Sequence, residues 1–375
     1  METTTIRVNE PRELLAYLPH QLGFRPRDSA VAVSLRPPRG QVGLVARVDL
    51  ADLGDLEAGP QVARGLVAHL GADRAARAVL VLYTDDDPRM PGPTRARARA
   101  AAEHFREAAY ALLGDVVVWV VTAAGYLALD CDDDECCPRN GRPLRELEST
   151  AVGAHMVLAG SSVADSRDDL ARIPLARADA RRAVARVDAR WRLRGERALA
   201  QGADELQEWR EQSISAWRVE VAAAQAGTTP RGASALGRLV AALADRTVRD
   251  AVLVALVPGT GDLAERSVRE DRAASSSEMA AAIGVIVDPR SAVEPPTEAT
   301  EVHVRVLERV VAHGRRGQQA PSLTLLGLIA WWQGDGTRAR MLLERALGED
   351  PTYTLAQLLD STVSITPPGW MRRST

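Results

Sequence analysis

The sequence predicts an α/β domain in the amino-terminal part of the chain and an all-helical region after it. Two almost wholly apolar runs, Ala78–Tyr83 and Val116–Val121, have the pattern of strands that are buried on both faces. A helical pattern separates them, and strand, helix and strand in this order predict a parallel βαβ crossover. After about Ser149 the β-rich runs end and helical patterns dominate the sequence.

Before this parallel core, the sequence predicts one helix and an antiparallel hairpin. The helix begins near Pro11, carries a stripe of leucines and ends near Gly23, where glycine is a common stop. Two β-rich runs, Ser29–Leu35 and Gln41–Leu50, flank a Pro-Pro-Arg-Gly turn, and this arrangement is typical of a hairpin. Further helices are predicted around Pro60–Leu70 and over Thr94–Leu113.

We expect the chain to divide into an α/β domain over residues 1–160, a helical region over 161–257, a linker-like segment over 258–300 and a helical hairpin region over 301–375. The helical region contains the long pattern Ala178–Gln225, in which three tryptophans, Trp191, Trp209 and Trp217, are candidate core residues. The linker-like segment predicts at most one short helix, because polar residues and prolines interrupt it.

The clearest architectural pattern is a helical hairpin near the carboxyl end. Two apolar helical segments flank a Gly-Asp-Gly break within Ala320–Tyr353, and the length matches a tetratricopeptide-like unit of about 34 residues. Leu326 and Gly327 provide a bulky and then a small contact position in the first helix, and Pro351 ends the unit. No second copy of this spacing is evident, so we expect one terminal unit and not a repeat array.

The chain contains no lysine, and all 47 of its basic residues are arginines. This composition excludes a Walker A nucleotide site, a pyridoxal phosphate Schiff base and any catalytic lysine amine. A formal net charge of −3 gives no overall attraction to nucleic acid or to anionic membranes. No apolar run approaches the length of a membrane span. We therefore expect no membrane association, and nucleic acid is an unfavoured partner.

The cysteine content and the first residues of the chain predict a cytoplasmic protein. Three cysteines in 375 residues do not resemble the disulfide framework of a secreted protein. The opening residues, METTTIRVNE, lack the basic and apolar regions of a signal peptide.

A cluster of cysteines is the sharpest candidate for a site with chemistry. Cys131, Cys136 and Cys137 lie in an acidic loop that we expect to follow a buried strand directly. Three thiolates could bind zinc with a histidine or aspartate as fourth ligand, or two of the cysteines could form a disulfide. The spacing lacks a second pair of cysteines, so the sequence alone favours a solvated acidic loop with cysteines as small packing residues.

Three consecutive acids end the other buried strand. Asp85, Asp86 and Asp87 could bind Mg²⁺ or another hard cation through Asp85 and Asp87, close to the cysteine loop. Acidic surface turns are far more common than such sites, and the sequence favours that interpretation.

Four arginines, Arg182, Arg186, Arg190 and Arg194, recur at every fourth position of a predicted helix and so share one face. Such a face could bind phosphates, nucleic acid or an acidic partner. The alternative is a solvated face whose opposite side packs in the core, and the sequence favours it because neighbouring acids offset the charge.

Several segments together resemble a known family. These are LLAYLPHQLGFRPRDSAVAVSL, QVGLVARVDL, AVLVLYTDD, CDDDECCPRNGRPL and WWQGDGTRARMLLERALGEDPTY. In this order they resemble uncharacterised proteins that share a domain of unknown function in GC-rich actinomycete-type bacteria. The resemblance covers most of the chain and implies an intracellular bacterial protein, but it implies no activity, cofactor or catalytic residue.

The sequence favours a cytoplasmic, non-enzymatic interaction or regulatory protein that uses its helical half to bind a protein partner or a second copy of itself. The alternative is an enzyme or metal-binding protein with its site in the loops Asp85–Asp87 and Cys131–Cys137. A weaker alternative is nucleic-acid binding through the helix that carries Arg182.

Overall fold

The computed structural model describes residues 10–38, 40–161, 163–228, 233–269, 272–363 and 368–373. The chain forms two compact units, Met1–Leu170 and Ala171–Thr375. Within the described residues, no helix combines the length and the apolar character needed to cross a bilayer.

The first unit contains a five-stranded sheet and seven helices among its described residues. Its elements are α1 (Pro11–Leu22), β1 (Ser29–Arg36), β2 (Gln41–Asp49), α2 (Leu50–Leu53), α3 (Gly59–Ala72), β3 (Arg77–Tyr83), α4 (Pro93–Leu113), β4 (Val117–Val121), β5 (Tyr126–Ala128), α5 (Arg145–Glu148), α6 (Ala151–Leu158) and α7 (Arg167–Leu170).

The strand order in the sheet is β2-β1-β3-β4-β5. Strands β3 and β4 are parallel and joined by α4, while every other neighbouring pair is antiparallel. The prediction of a parallel βαβ core with an added antiparallel hairpin is therefore confirmed. Strand β5 was not predicted, because three residues are too few to show an alternating pattern.

Each face of the sheet has its own core, because alternate side chains along a strand point to opposite faces. On one face, Leu80 and Leu82 pack in a cluster with residues of α3 and α4, including Phe105. On the other face, Val81 and Tyr83 pack in a cluster with the leucines of α1. Burial on both faces is the physical reason for the nearly continuous apolar run of β3.

Among its described residues, the second unit contains helices joined by turns and loops, and no strand. Its helices are α8 (Ala178–Gln201), α9 (Ala203–Gln225), α10 (Ser234–Ala242), α11 (Arg246–Ala255), α12 (Leu263–Arg269), α13 (Arg272–Val287), α14 (Thr297–His313), α15 (Ala320–Trp332), α16 (Gly336–Glu349), α17 (Thr354–Val363) and α18 (Gly369–Arg373).

Residues 258–300, which the sequence predicts as linker-like, differ from that expectation because they contain α12 and α13. Leu263 of α12 and Ala282 of α13 are buried in a small apolar cluster with Val254. Alanines and serines form half of α13, so its packing face shows little hydrophobic periodicity in the sequence.

The helices α8 and α9 are joined by tryptophan packing. The rings of Trp191 and Trp209 stack with their centroids 6.0 Å apart. Trp191 Nε1 donates to Ser213 Oγ at 3.0 Å, and Trp209 Nε1 donates to the Trp191 carbonyl at 3.0 Å. Both indoles and that of Trp217 are buried, which confirms the three tryptophans as core residues.

The predicted hairpin corresponds to α15 and α16. Every residue of α15 is buried, so this helix forms the centre of the second unit. Gly327 is required at the contact between the two helices, because a Cβ atom there would lie 2.9 Å from Leu343 Cγ.

A buried histidine gives the second unit a pH-dependent stability. The ring of His303 stacks on Trp217 at 5.5 Å, and burial, with a smaller contribution from the Arg218 charge, lowers the pKa of His303 to about 4. The unfolded histidine has a pKa near 6.5, so the unfolded state binds more protons between these two values. The contribution of the neutral His303 to the free energy of unfolding is therefore fully present above about pH 6.5. It is lost progressively as the pH falls toward 4.

We expect the free energy of unfolding to fall by about 3 kcal/mol over this range relative to a His303→Gln variant. Urea unfolding of both proteins at several pH values measures it. Comparison with the variant removes the contributions of other groups, including the buried Glu220, whose raised pKa acts in the opposite direction. Parallel pH profiles for the two proteins would show that His303 does not titrate as a buried group.

Candidate metal site at the sheet edge

The cysteine loop begins at an edge strand and not directly after β4, which corrects the expected position. Strand β5 runs antiparallel to β4 and carries the chain back toward the amino end of the parallel strands. There the Leu129 N–H donates to the Val118 carbonyl at 2.9 Å. The loop therefore starts at the opposite end of the sheet from the Asp85 turn, because the short strand β5 intervenes.

From this start the loop returns along the outer edge of β5. The N–H and carbonyl groups of Tyr126 bond to Arg142 at 2.9 and 2.8 Å, and the Ala128 N–H donates to Cys137 Sγ at 3.4 Å. Gly125 allows this close approach, since a Cβ there would lie 2.5 Å from the Arg142 carbonyl oxygen. The loop thus covers backbone groups that an edge strand otherwise exposes.

The three cysteines converge in this loop. Their sulfur atoms all lie within 4.8 Å of one another, and Cys136 Sγ and Cys137 Sγ are 3.9 Å apart. All three are free thiols, since a disulfide needs a sulfur–sulfur distance of about 2.0 Å. Cys137 is buried against the sheet, Cys131 is partly buried and Cys136 is exposed. The cluster therefore has a fixed inner side and an open outer side.

The environment of Cys137 disfavours a bare thiolate. Burial, together with hydrogen bonding to Cys131 and Cys136, raises the pKa of the Cys137 thiol to about 11, although the Ala128 N–H acts in the opposite direction. Burial is the largest of these causes. Without a bound cation, this thiol is protonated and weakly nucleophilic at neutral pH.

An arginine joins the acidic turn to the cysteine loop. Arg89 pairs with both carboxylate oxygens of Asp87, at 2.9 to 3.2 Å. The same guanidinium donates to the carbonyls of Cys137, Pro138 and Arg139, at 2.8 to 3.1 Å. Asp87 therefore orients Arg89, which in turn holds the backbone that carries Cys137.

This arrangement bears on the proposed Mg²⁺ ligands Asp85 and Asp87. Among the described residues, the three cysteines form the only group of three or more Cys, His, Asp or Glu side chains whose ligand atoms converge. Asp87 faces Arg89, and Asp85 and Asp86 are exposed, with Asp86 accepting from Thr94 Oγ1 at 3.3 Å. The structure thus brings the acidic turn near the cysteines through an arginine and does not bring its carboxylates into the cluster.

One acid within the loop has a structural role. Asp133 Oδ1 accepts from the N–H groups of Glu135 and Cys136, at 2.9 and 3.4 Å, and its carbonyl accepts from the Cys137 N–H at 2.7 Å. This turn is what places Cys136 and Cys137 beside one another. The Asp-x-Glu-Cys order is compatible with such an Asx turn, a signal that the sequence analysis did not use.

The four arginines of the second predicted site, Arg182, Arg186, Arg190 and Arg194, all lie exposed on α8. Arg194 donates to Glu208 at 3.4 Å and lies over the Trp191 ring, and Arg190 Nε donates to the Arg186 carbonyl. Arg182 instead lines a cavity with arginines from other elements.

Comparison with known proteins gives one match. No curated protein and no solved structure matches the chain. One family model, described as Domain of unknown function (DUF4192), matches residues 11–368. This match covers most of the chain and agrees with the resemblance seen in the sequence motifs. The chain therefore belongs to the DUF4192 family of domains of unknown function.

Proposed function

We propose that this protein binds zinc, or another divalent cation that prefers sulfur, through the thiolates of Cys131, Cys136 and Cys137. The observation that carries the proposal is the mutual distance of the three sulfur atoms. In a tetrahedral site with zinc–sulfur bonds of about 2.3 Å, the ligand sulfurs lie about 3.8 Å apart. The 3.9 Å between Cys136 Sγ and Cys137 Sγ fits this value, and all three pairs lie within 4.8 Å.

The surroundings of the sulfurs support this function. The Ala128 N–H that points at Cys137 Sγ would stabilise a thiolate ligand in the way that outer hydrogen bonds commonly do. Four acidic side chains between Cys131 and Cys136 favour a cation over an anion at this loop. A bound cation also offsets the repulsion between neighbouring thiolates, which burial alone would increase.

The open side of the cluster defines the fourth coordination position. Three protein ligands leave one position of a tetrahedral ion for water or for a ligand from solution. Cys136 is exposed, so this position faces the solvent side of the loop. Metal binding would fix residues 131–142 on the edge of β5.

The test is the metal content of the full chain, purified under reducing conditions from cells supplied with zinc. We expect about one zinc per chain by mass spectrometry of the metals, in line with a single cluster. Cys131→Ser and Cys137→Ser should each lower the zinc content strongly, since each removes one of three ligands. Asp132→Asn is the matched control, because it removes an exposed charge beside Cys131 and leaves every sulfur in place.

Two results would contradict the proposal. One is a wild-type protein without metal whose three thiols all react with a thiol reagent. The other is equal zinc content in the wild type and in both cysteine variants. Far-UV circular dichroism of each variant shows whether a loss of zinc comes from loss of the ligand or from unfolding.

We propose a bacterial cytoplasm as the setting in which the protein works. Free thiols in a loop of this kind support a reducing compartment, where disulfides are rare. We further propose that α15 and α16 are a tetratricopeptide-like hairpin, which is supported by the small-residue contact of Gly327 with Leu343. Association of the helical unit with a protein partner or a second copy stays a prediction.

A further inference from the structure

The helical unit contains a cavity of about 880 Å³ whose charged lining is dominated by arginines. Four segments form it: the stretch before α8, the first turns of α8, the end of α14 with its connection to α15, and the last turns of α16. Five arginines line the cavity, namely Arg181, Arg182, Arg315, Arg316 and Arg345. A single carboxylate, that of Glu349, lies among them.

Most of these positive charges are uncompensated. Within the described part of the chain, no hydrogen bond or ion pair engages the guanidinium groups of Arg181, Arg182, Arg315 or Arg316. Elsewhere in the same unit, arginines such as Arg210 and Arg218 pair closely with Asp245 and Glu265. Four guanidinium groups without a carboxylate partner among the described residues therefore line this one concavity.

The one acid in the cavity is already engaged. The Glu349 carboxylate accepts a hydrogen bond from the Gly317 N–H. Gly317 has a φ of +78°, which favours glycine, and it gives the connection between α14 and α15 its sharp turn. Glu349 thus holds in place the segment that presents Arg315 and Arg316, and its single negative charge lies among five positive ones.

The remaining lining is also fixed by the fold. Arg345 donates to the Ala171 carbonyl, and Gln319 Nε2 donates to the Val311 and Gly314 carbonyls at 3.2 Å. His313 Nδ1 is 2.8 Å from the Arg309 carbonyl oxygen, an arrangement that leaves Nε2 available for another partner. The cavity walls therefore exist before any ligand binds, which reduces the ordering cost of binding.

We infer that this cavity binds a small molecule that carries two or more phosphate groups, of the nucleoside polyphosphate class. Guanidinium groups bind phosphate oxygens in a bidentate manner, and converging positive charges raise the local concentration of anions. The volume lies within the range of small-molecule sites. Ile173 and Leu175 provide an apolar wall that suits the non-phosphate portion of such a ligand.

This site differs from the Walker A type that the absence of lysine excludes, because arginine side chains and not a lysine and a glycine-rich loop would hold the phosphates. It also does not depend on the proposed cysteine site, which lies in the other unit. Failure of one proposal leaves the other intact.

The experiment is isothermal titration calorimetry of the full chain with inorganic triphosphate, with ATP and with adenosine, at low and at physiological salt. We expect triphosphate and ATP to bind, and adenosine to bind at least tenfold more weakly. A double variant, Arg182→Gln with Arg315→Gln, should weaken ATP binding by at least tenfold. Arg186→Gln is the matched control, since Arg186 is exposed one turn further along α8 and does not line the cavity.

The outcomes separate the cavity from general electrostatic attraction. Loss of ATP binding in the double variant, with Arg186→Gln unchanged and the thermal unfolding midpoint preserved, supports the inference. Equal weakening by the double variant and by Arg186→Gln would overturn it in favour of diffuse surface charge. Absence of triphosphate and ATP binding at low salt would also overturn it. Polyglutamate is titrated in the same way as a probe for an acidic protein segment. If it binds at these arginines and triphosphate does not displace it, the inference is overturned in favour of an acidic segment as the ligand.

Discussion

Replacement of Trp217 by alanine is expected to lower the free energy of unfolding by about 3–5 kcal/mol. Trp217 has no exposed surface and lies in the core that α8 to α16 share. Its indole also stacks on His303 at 5.5 Å with an interplanar angle of 11°. The substitution would therefore leave a large cavity, and it would leave His303 without the ring that now covers one of its faces. Urea unfolding measures the change. It is followed by the far-UV circular dichroism of the helices, because tryptophan fluorescence itself changes in this variant.

The control for this prediction is Val219→Ala in the same helix. Val219 lies two residues further along α9 with 49% of its surface exposed, so its truncation removes few buried contacts. We expect a change within about 0.5 kcal/mol for this variant. A similar, small change for both variants would mean that Trp217 is not a core residue of the second unit.

Replacement of Arg309 by methionine is expected to cost about 3–5 kcal/mol, because it removes one partner of a buried ion pair. Glu220 is fully buried, and its Oε2 accepts from Arg309 Nη1 at 2.6 Å. Burial already raises the pKa of Glu220, and the nearby Arg309 charge acts against this effect. Without Arg309 the carboxylate must either stay charged in an apolar environment or take up a proton, and both states are less favourable than the pair.

A double variant provides the control for the Arg309 prediction. Glu220→Leu combined with Arg309→Met replaces the whole pair by apolar groups, which is often close to neutral for stability. We therefore expect the double variant to be more stable than Arg309→Met alone, as measured by the same urea titrations. If Arg309→Met cost less than about 1 kcal/mol, the pair would behave as an exposed surface contact.

The parts of the fold that the sequence predicts are those whose pattern is local. The run of β3 shows its burial directly, since an element covered on both faces must be apolar at nearly every position. Strand β5 escaped prediction because Tyr126–Ala128 is too short for alternation, and its pairing depends on β4 and on Arg142. This single short strand changes where the cysteine loop begins. The sequence allowed only one short helix in residues 258–300, and the full length of α13 was not predicted because alanine and serine leave little apolar contrast.

The candidate site could likewise be predicted from the sequence only where its pattern is local. The types and spacing of Cys131, Cys136 and Cys137 mark the loop, but the sequence cannot show that their sulfurs converge. The distances depend on the turn at Asp133 and on the three carbonyls that Arg89 holds, and Arg89 lies 48 to 50 positions away from them along the chain. The arginine cavity is even less local, since α8, the segment before α15 and the end of α16 each contribute a part. Only Arg182 of its five arginines was among the predicted partner-binding residues.

In the proposed zinc site, three cysteine sulfurs bind one metal ion at the edge of the sheet. The most direct measurement is X-ray absorption spectroscopy at the zinc edge, on the zinc-loaded full chain under reducing conditions. We expect three sulfur ligands at about 2.3 Å with one lighter oxygen or nitrogen ligand, because the loop supplies three thiolates and an open fourth position. A first shell made only of oxygen and nitrogen atoms would contradict it.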